Sequence, residues 1–196
     1  MSPLNRQRLD QIRDERREEI KQAALKVFAR RGYTGTKMSL IAKEASISEG
    51  LIYRYFNSKK ALFITLIQEL MEEASRELEN VQHLPGTPFE QIKNLTENML
   101  DENSKYAFML IERARKDDDV PERVTQIFEH LPTNGLTDLL VPVFIKGQKS
   151  GEFSPGEPRK LLSWYFTIVI SLLTQEQGDE EYGLPDVEVL MRILAK

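Results

Sequence analysis

Between Thr36 and Lys59 the chain sets hydroxyls (Thr36, Ser39, Ser48) and cations (Arg54, Lys59) along one short stretch. Groups of these kinds hold oxyanions, phosphate esters above all, by hydrogen bonds and charge, without making or breaking a bond. Lys59 falls in the first turn of a helix expected to open at Ser58, where free N–H groups and a cation together attract a phosphate; a merely exposed lysine is the alternative. Thr36 and Ser48 can cap helices and touch phosphate in the same geometry, and Ser39 is a weaker candidate of that kind. Arg54 carries a donor fork that suits guanine O6 and N7, or a phosphate.

Bond-making chemistry finds no such concentration. His83 and His130 are far apart in sequence, and neither has metal-ligand spacing. Asp117, Asp118 and Asp119 precede a helix expected near Pro121, and acidic residues there serve its positive end. No enzyme activity, catalytic residue, metal or cofactor is expected. The absence of cysteine excludes disulfides and thiolate chemistry and is compatible with a reducing cytoplasm. The polar start lacks the apolar run of a signal peptide, and the longest apolar run, at 164–173, is too short to span a bilayer, so a cytoplasmic protein is expected.

The elements that must position these groups follow from spacing. Ile41, Ala42 and Ala45 mark one buried face of a helix from about Lys37 to Ala45, with Thr36 as its expected N-cap. Ser46, Ile47 and Ser48 form a turn, and Ser48 can cap a second helix beginning at Glu49. Leu51, Ile52, Tyr55 and Phe56 give that helix an apolar side, and Glu49, Gly50, Tyr53 and Arg54 point largely elsewhere. Two short helices joined by a three-residue turn match the helix-turn-helix plan, whose second helix enters the major groove of DNA.

The run Gly32–Phe63 closely resembles the DNA-binding signature of the TetR family of transcriptional regulators. The resemblance rests on Gly32 and Tyr33, Thr36, Ile41 and Ala42, Ala45, Ile47 and Ser48, then Gly50, Tyr53, Phe56, Lys59, Leu62 and Phe63. Ser46 departs from it: the family usually has glycine there, and a serine has to accept a left-handed conformation at some cost. The resemblance implies that Glu49, Gly50, Leu51 and Arg54 face the bases and that Tyr53 offers its hydroxyl to phosphate, with an aromatic packed at a helix end as the alternative. Tyr55 either reaches the DNA backbone or packs in the core. Gly50, without a side chain, lets the backbone approach DNA closely.

Charge is divided accordingly. The 196-residue chain has a net charge of −4, yet residues 1–60 hold 14 Lys/Arg and 7 Asp/Glu, and the rest hold 13 and 24. A basic head on an acidic body steers the head toward phosphate; a solvated charged face is the plain alternative for the basic residues of the first helix.

The expected fold is all-α: an N-terminal three-helix DNA-binding domain (1–60) with the helix-turn-helix, then a C-terminal helical domain (61–196). The first helix is expected from about Asp10 to Arg31, and one from Ser58 past Leu78 should run from the DNA-binding unit into the next. Others are expected at 88–102, 104–116, 121–148 with an interruption at Pro132–Gly135, 158–176 and 185–195. The segment 151–158 reads as a turn-rich connector. The resemblance implies that the C-terminal domain binds a ligand and forms the dimer. The 158–176 helix is apolar around most of its circumference and is expected to join the 185–195 helix in an intersubunit bundle; a monomeric core is the alternative. Met99, Phe108, Met109, Phe128, Phe144 and Trp164 are candidates to line an apolar cavity, and Glu112 and Arg113 to anchor a polar group. These expectations describe a homodimeric regulator, a repressor on a palindromic double-stranded operator, released by a small, largely apolar effector. The rival is a helical dimeric sensor or interaction protein without sequence-specific DNA binding.

Overall fold

A computed structural model describes residues 3–130, 135–175 and 183–196. The described residues are helical, apart from turns and one isolated antiparallel pairing of Phe153 with Ala195. They divide into two compact units, one of residues up to Glu69 with Leu110–Ile127, the other of Leu70–Met109 with Phe128–Lys196. No helix among them is long and apolar enough to cross a membrane.

In the first unit, α1 (Pro3–Arg31) starts earlier than its apolar stripe implies. Ile20, Ala23, Ala24, Val27 and Phe28 bury that stripe, whereas the described side chains before Ile20 are not buried. Local pairs support that polar stretch: Gln11 with Glu15, Arg16 with Glu19, Gln22 with Glu18. Arg30 and Arg31 occupy the last turn, where cations favour the helix dipole, and Gly32 ends the helix at φ 70°. α2 (Met38–Glu44) buries Met38, Ile41 and Ala42. α3 (Glu49–Tyr53) buries Ile52. α4 (Lys59–Val81) is opened by Ser58, whose Oγ accepts the Ala61 N–H at 3.0 Å. Phe63 of α4 meets the rings of Phe28 and Tyr33, each with centroids 4.8 Å away, which ties α4 to the end of α1.

In the second unit, α5 (Pro88–Met99) starts on a reciprocal capping box of Thr87 and Glu90. α6 (Glu102–Lys116) and α7 (Glu122–Glu129) follow; their segment Leu110–Ile127 belongs to the first unit. The 121–148 span is not one helix. After α7 comes a 3-10 helix, Gly135–Leu140, and then α8 (Val141–Ser150), because Pro142 has no N–H and is accommodated only in a first turn. Most of the interruption expected at Pro132–Gly135 lies outside the described residues. α9 (Pro158–Thr174) is capped by Glu157, which accepts the Arg159 and Lys160 N–H groups; residue 176 of the expected span lies outside the description.

α10 is only Val187–Met191, not 185–195. Past Met191 the chain tightens into i→i+3 bonds and straightens, so that Ala195 can pair with Phe153 and Leu194 can accept the Ser154 N–H at 2.9 Å. The core joins Ile92 and Leu95 of α5, Phe144 of α8, Tyr165 and Val169 of α9, and Leu190 of α10. Inside it the Tyr165 hydroxyl lies 2.8 Å from Thr96 Oγ1 and 3.3 Å from Met191 Sδ, so this buried polar group is satisfied. The 151–158 connector contributes to that core: Phe153 is buried and stacks on Phe144.

Candidate nucleic-acid interface

The turn between α2 and α3 has the expected strain. Ser46 has φ 55°, the one non-glycine residue with positive φ among those described. Its N–H bonds Lys43 O, the Ile47 N–H bonds Ala42 O, and Ile47 is half-buried between the two helices. Ser48 then caps α3 by accepting the Leu51 N–H at 3.3 Å.

α3 has two distinct sides. At 100° per residue, Glu49, Gly50, Tyr53 and Arg54 fall within a stripe about 140° wide, and all four are exposed. Outside that stripe, Ile52 and, just past the helix, Phe56 are buried, and Leu51 and Tyr55 are half-buried. Leu51 is therefore placed less openly than its neighbours in the expected base-reading set. Tyr53 is 47% exposed and free of core packing, so its hydroxyl is available to a ligand. Ser39, on α2, is exposed as well. A carbon added at Gly50 meets no atom within 4 Å, and the residue has no unusual φ. Glycine is thus not required there by the fold, which would be better served by alanine.

Thr36 differs from expectation. It is 1% exposed, and its hydroxyl turns back to Gly32 O at 2.7 Å, so it does not cap α2. The N-cap position belongs to Lys37, with extended backbone and no side-chain cap bond. Burial beneath the Gly32–Thr36 turn decides this: a hydroxyl shut away from water must find an acceptor at once, and Gly32 O is in reach. Lys59 likewise has partners within the unit: Nζ donates to Tyr33 O at 2.8 Å and Thr36 O at 3.0 Å, and lies 4.4 Å from the Tyr33 ring centroid.

Two basic residues outside the expected set bear on the candidate interface. Lys37 is exposed at the start of α2, two residues before Ser39; only its place in the basic head signals it. Arg17 of α1 stacks over Phe56 at 4.3 Å and donates to Tyr55 O at 3.4 Å, bracing the chain just past α3. With Asp10, Arg13, Asp14 and Tyr55 it lines a cleft of about 290 Å³. No local spacing in the sequence relates Arg17 to residues so far along the chain.

The residues expected to line a cavity do not share one environment. Phe144 and Met99 are in the core, Phe108 packs at its edge, and Trp164 is 61% exposed, too far into solvent to line an interior cavity. The apolar circumference of α9 is divided between a buried side (Leu162, Tyr165, Val169, Leu173) and an exposed one (Trp164, Ile168). Among the described residues no group of three or more His, Cys, Asp or Glu is placed to hold a metal ion.

Residues 20–66 match the family described as bacterial regulatory proteins, tetR family. The chain is 33% identical over 102 residues to an uncharacterized HTH-type transcriptional regulator, YuxN, of Bacillus subtilis strain 168, a match that spans 50% of this chain and only 35% of that protein. It is 26% identical over 173 residues to the fatty acid metabolism regulator protein of the same strain, covering 85% of this chain and 86% of that one. The crystal structure of a transcriptional regulator, FadR, from Bacillus subtilis in complex with stearoyl-CoA has the same fold, with a TM-score of 0.60 at 22% identity over 91% of this chain and 97% of that chain. The helix-turn-helix described above lies inside the matched residues, so this part of the chain is similar to the tetR family of bacterial regulatory proteins.

Proposed function

We propose that this chain is a DNA-binding transcriptional regulator, a repressor that covers a palindromic operator as a homodimer and leaves it when a small, largely apolar effector binds. The observation that carries the reading is the exposed stripe of α3, with Gly50 at a position where the fold has no use for glycine. In this reading Glu49, Gly50, Leu51 and Arg54 face base edges. Ser39, Ser48 and Tyr53 hold phosphates, with Lys37 beside them.

Residues 1–60 act as the reading domain and 61–196 as the sensing and dimerising one. Trp164 and Ile168 of α9, with Val189 of α10 and Ile193 just past it, support a partner subunit, since large exposed apolar groups gain most from burial. Two heads then meet successive major grooves about 34 Å apart, and an effector that favours another spacing lowers affinity. A coupling of about 1–3 kcal/mol changes DNA affinity roughly 5- to 150-fold. Stearoyl-CoA in the related regulator supports an effector with a long apolar part.

The test is selection of duplexes from a random pool with the purified protein. An enriched inverted repeat is expected; a pool without enrichment rejects the operator reading. In the same pool Arg54→Ala is expected to relax preference at one base position, and a uniform loss across all sequences assigns Arg54 to the phosphates instead.

A further inference from the structure

Lys59 stands where its own helix disfavours it. A cation in the first turn of α4 opposes that helix's dipole, so its placement has to be explained by partners outside α4. Those partners are the carbonyls of Tyr33 and Thr36, at 2.8 and 3.0 Å, and the Tyr33 ring face at 4.4 Å. Both carbonyls belong to the turn that ends α1 and delivers the chain to α2. The same turn is locked from below, because Thr36 Oγ1 donates to Gly32 O and the Tyr33 ring packs against Phe63, four residues beyond Lys59. Two of the three ammonium hydrogens are thereby committed.

We infer that Lys59 is a positioning residue for DNA recognition: it pins the first turn of α4 to the α1–α2 turn and so fixes how α2 and α3 are presented. The inference rests on the DNA-binding reading above.

The experiment compares wild type, Lys59→Met and Lys59→Arg on two duplexes, the one selected by the wild type and an unrelated one, across a salt series. For Lys59→Met, the affinity ratio between the two duplexes is expected to fall about tenfold, while affinity for the unrelated duplex and its salt slope hold. Lys59→Arg, whose fork can reach both carbonyls, is expected to restore the ratio. An equal loss on both duplexes, with the salt slope reduced by about 0.9, makes Lys59 a phosphate contact and overturns the inference. A lowered melting temperature with the ratio intact leaves only a structural role and also overturns it.

If Lys59→Met does not fold, lysine acylation of the wild type, read by mass spectrometry, decides. Lys59 is expected to react slowly with and without DNA, against exposed Lys60 as internal control. Reaction as fast as that of Lys60 in the free protein, suppressed by DNA, overturns the pin. A wild type that prefers no duplex rejects the DNA-binding reading itself, a result distinct from all of these.

Discussion

The rings of Phe144 and Phe153 stack with centroids 4.6 Å apart and planes 5° from parallel. This contact draws the connector after α8 into the core, and Gly147 makes room for it: a carbon added there would overlap the edge of the Phe153 ring. Gly147→Ala is therefore expected to destabilise the protein by about 1–3 kcal/mol, as overpacked cores do. Thermal and denaturant melts check this. An unchanged midpoint would mean that Phe153 moves aside without loss.

The same substitution in α3 should act in the opposite way. Gly50→Ala adds a methyl group in open space on a helix, so stability is expected to rise by up to about 1 kcal/mol. Affinity for the selected duplex is expected to fall about tenfold, because the methyl group stands where backbone and DNA approach each other. Retained affinity in a stabilised variant argues against close approach at this position.

The exposed side of α9 predicts its own response to charge. Ile168 is 41% exposed, so Ile168→Glu leaves the core of the subunit intact while placing a carboxylate in the proposed interface. Sedimentation is expected to give a folded monomer with the wild-type helical signal. A dimer of normal stability moves the interface elsewhere. Leu172, which packs in part against the core, is a poorer site for this test.

Stability at low pH can be traced to Lys21. Its ammonium lies 2.6 Å from Glu18 of α1 and 2.6 Å from Glu69 of α4. Burial, the largest single influence on Lys21, works against its charge, but the bonds and charges of the two carboxylates together hold its pKa above the usual value. Burial likewise pushes Glu18 up, and the bonds from Lys21 and Gln22 with the nearby charges outweigh it, leaving the carboxyl below its usual value.

Glu18 thus contributes stability above its unfolded pKa and loses it as pH falls through the lowered folded one. The Lys21 contribution is complete below its unfolded pKa and is lost only as pH rises through the raised folded one. Both are full at neutral pH. Solvent screening keeps the Glu18 share below about 1 kcal/mol. Lys21→Met is expected to flatten the loss of stability on acidification below about pH 5. Denaturant titrations at several pH values check the slope, and parallel profiles for the two proteins contradict the assignment.

Much of the helix-turn-helix part was legible because its signals are local. The start of α3, the Ser48 and Ser58 caps and the left-handed Ser46 all follow from residues a few positions apart, where helical spacing and capping chemistry apply directly, whereas α3 ends at Tyr53, short of Tyr55 and Phe56. The errors concern contacts between residues distant in sequence. Thr36 has the chemistry of an N-cap, but burial under its own turn redirects the hydroxyl. Phe153 sits among Gly, Ser and Pro, and composition alone made the segment a connector; its partners, Phe144 and Ala195, come from other elements. Trp164 lies in an apolar run whose sides cannot be told apart until α9 has neighbours. α10 ends early because of a pairing with a residue some forty positions before it.

The uneven burial of α1 implies a gradient in amide exchange with solvent deuterons. From Ile20 to Ala29 the helix lies on the core, and its N–H groups open only when the unit itself unfolds. From Asp10 to Glu15 the described side chains are exposed and the backbone bonds are sustained by side-chain pairs worth a few tenths of a kcal/mol each, and such a stretch is expected to exchange at the rate of a fraying helix. One unbroken helix thus contains two regimes of protection, and a ligand that touched its first turns would be recorded there as slowed exchange before any change in the core.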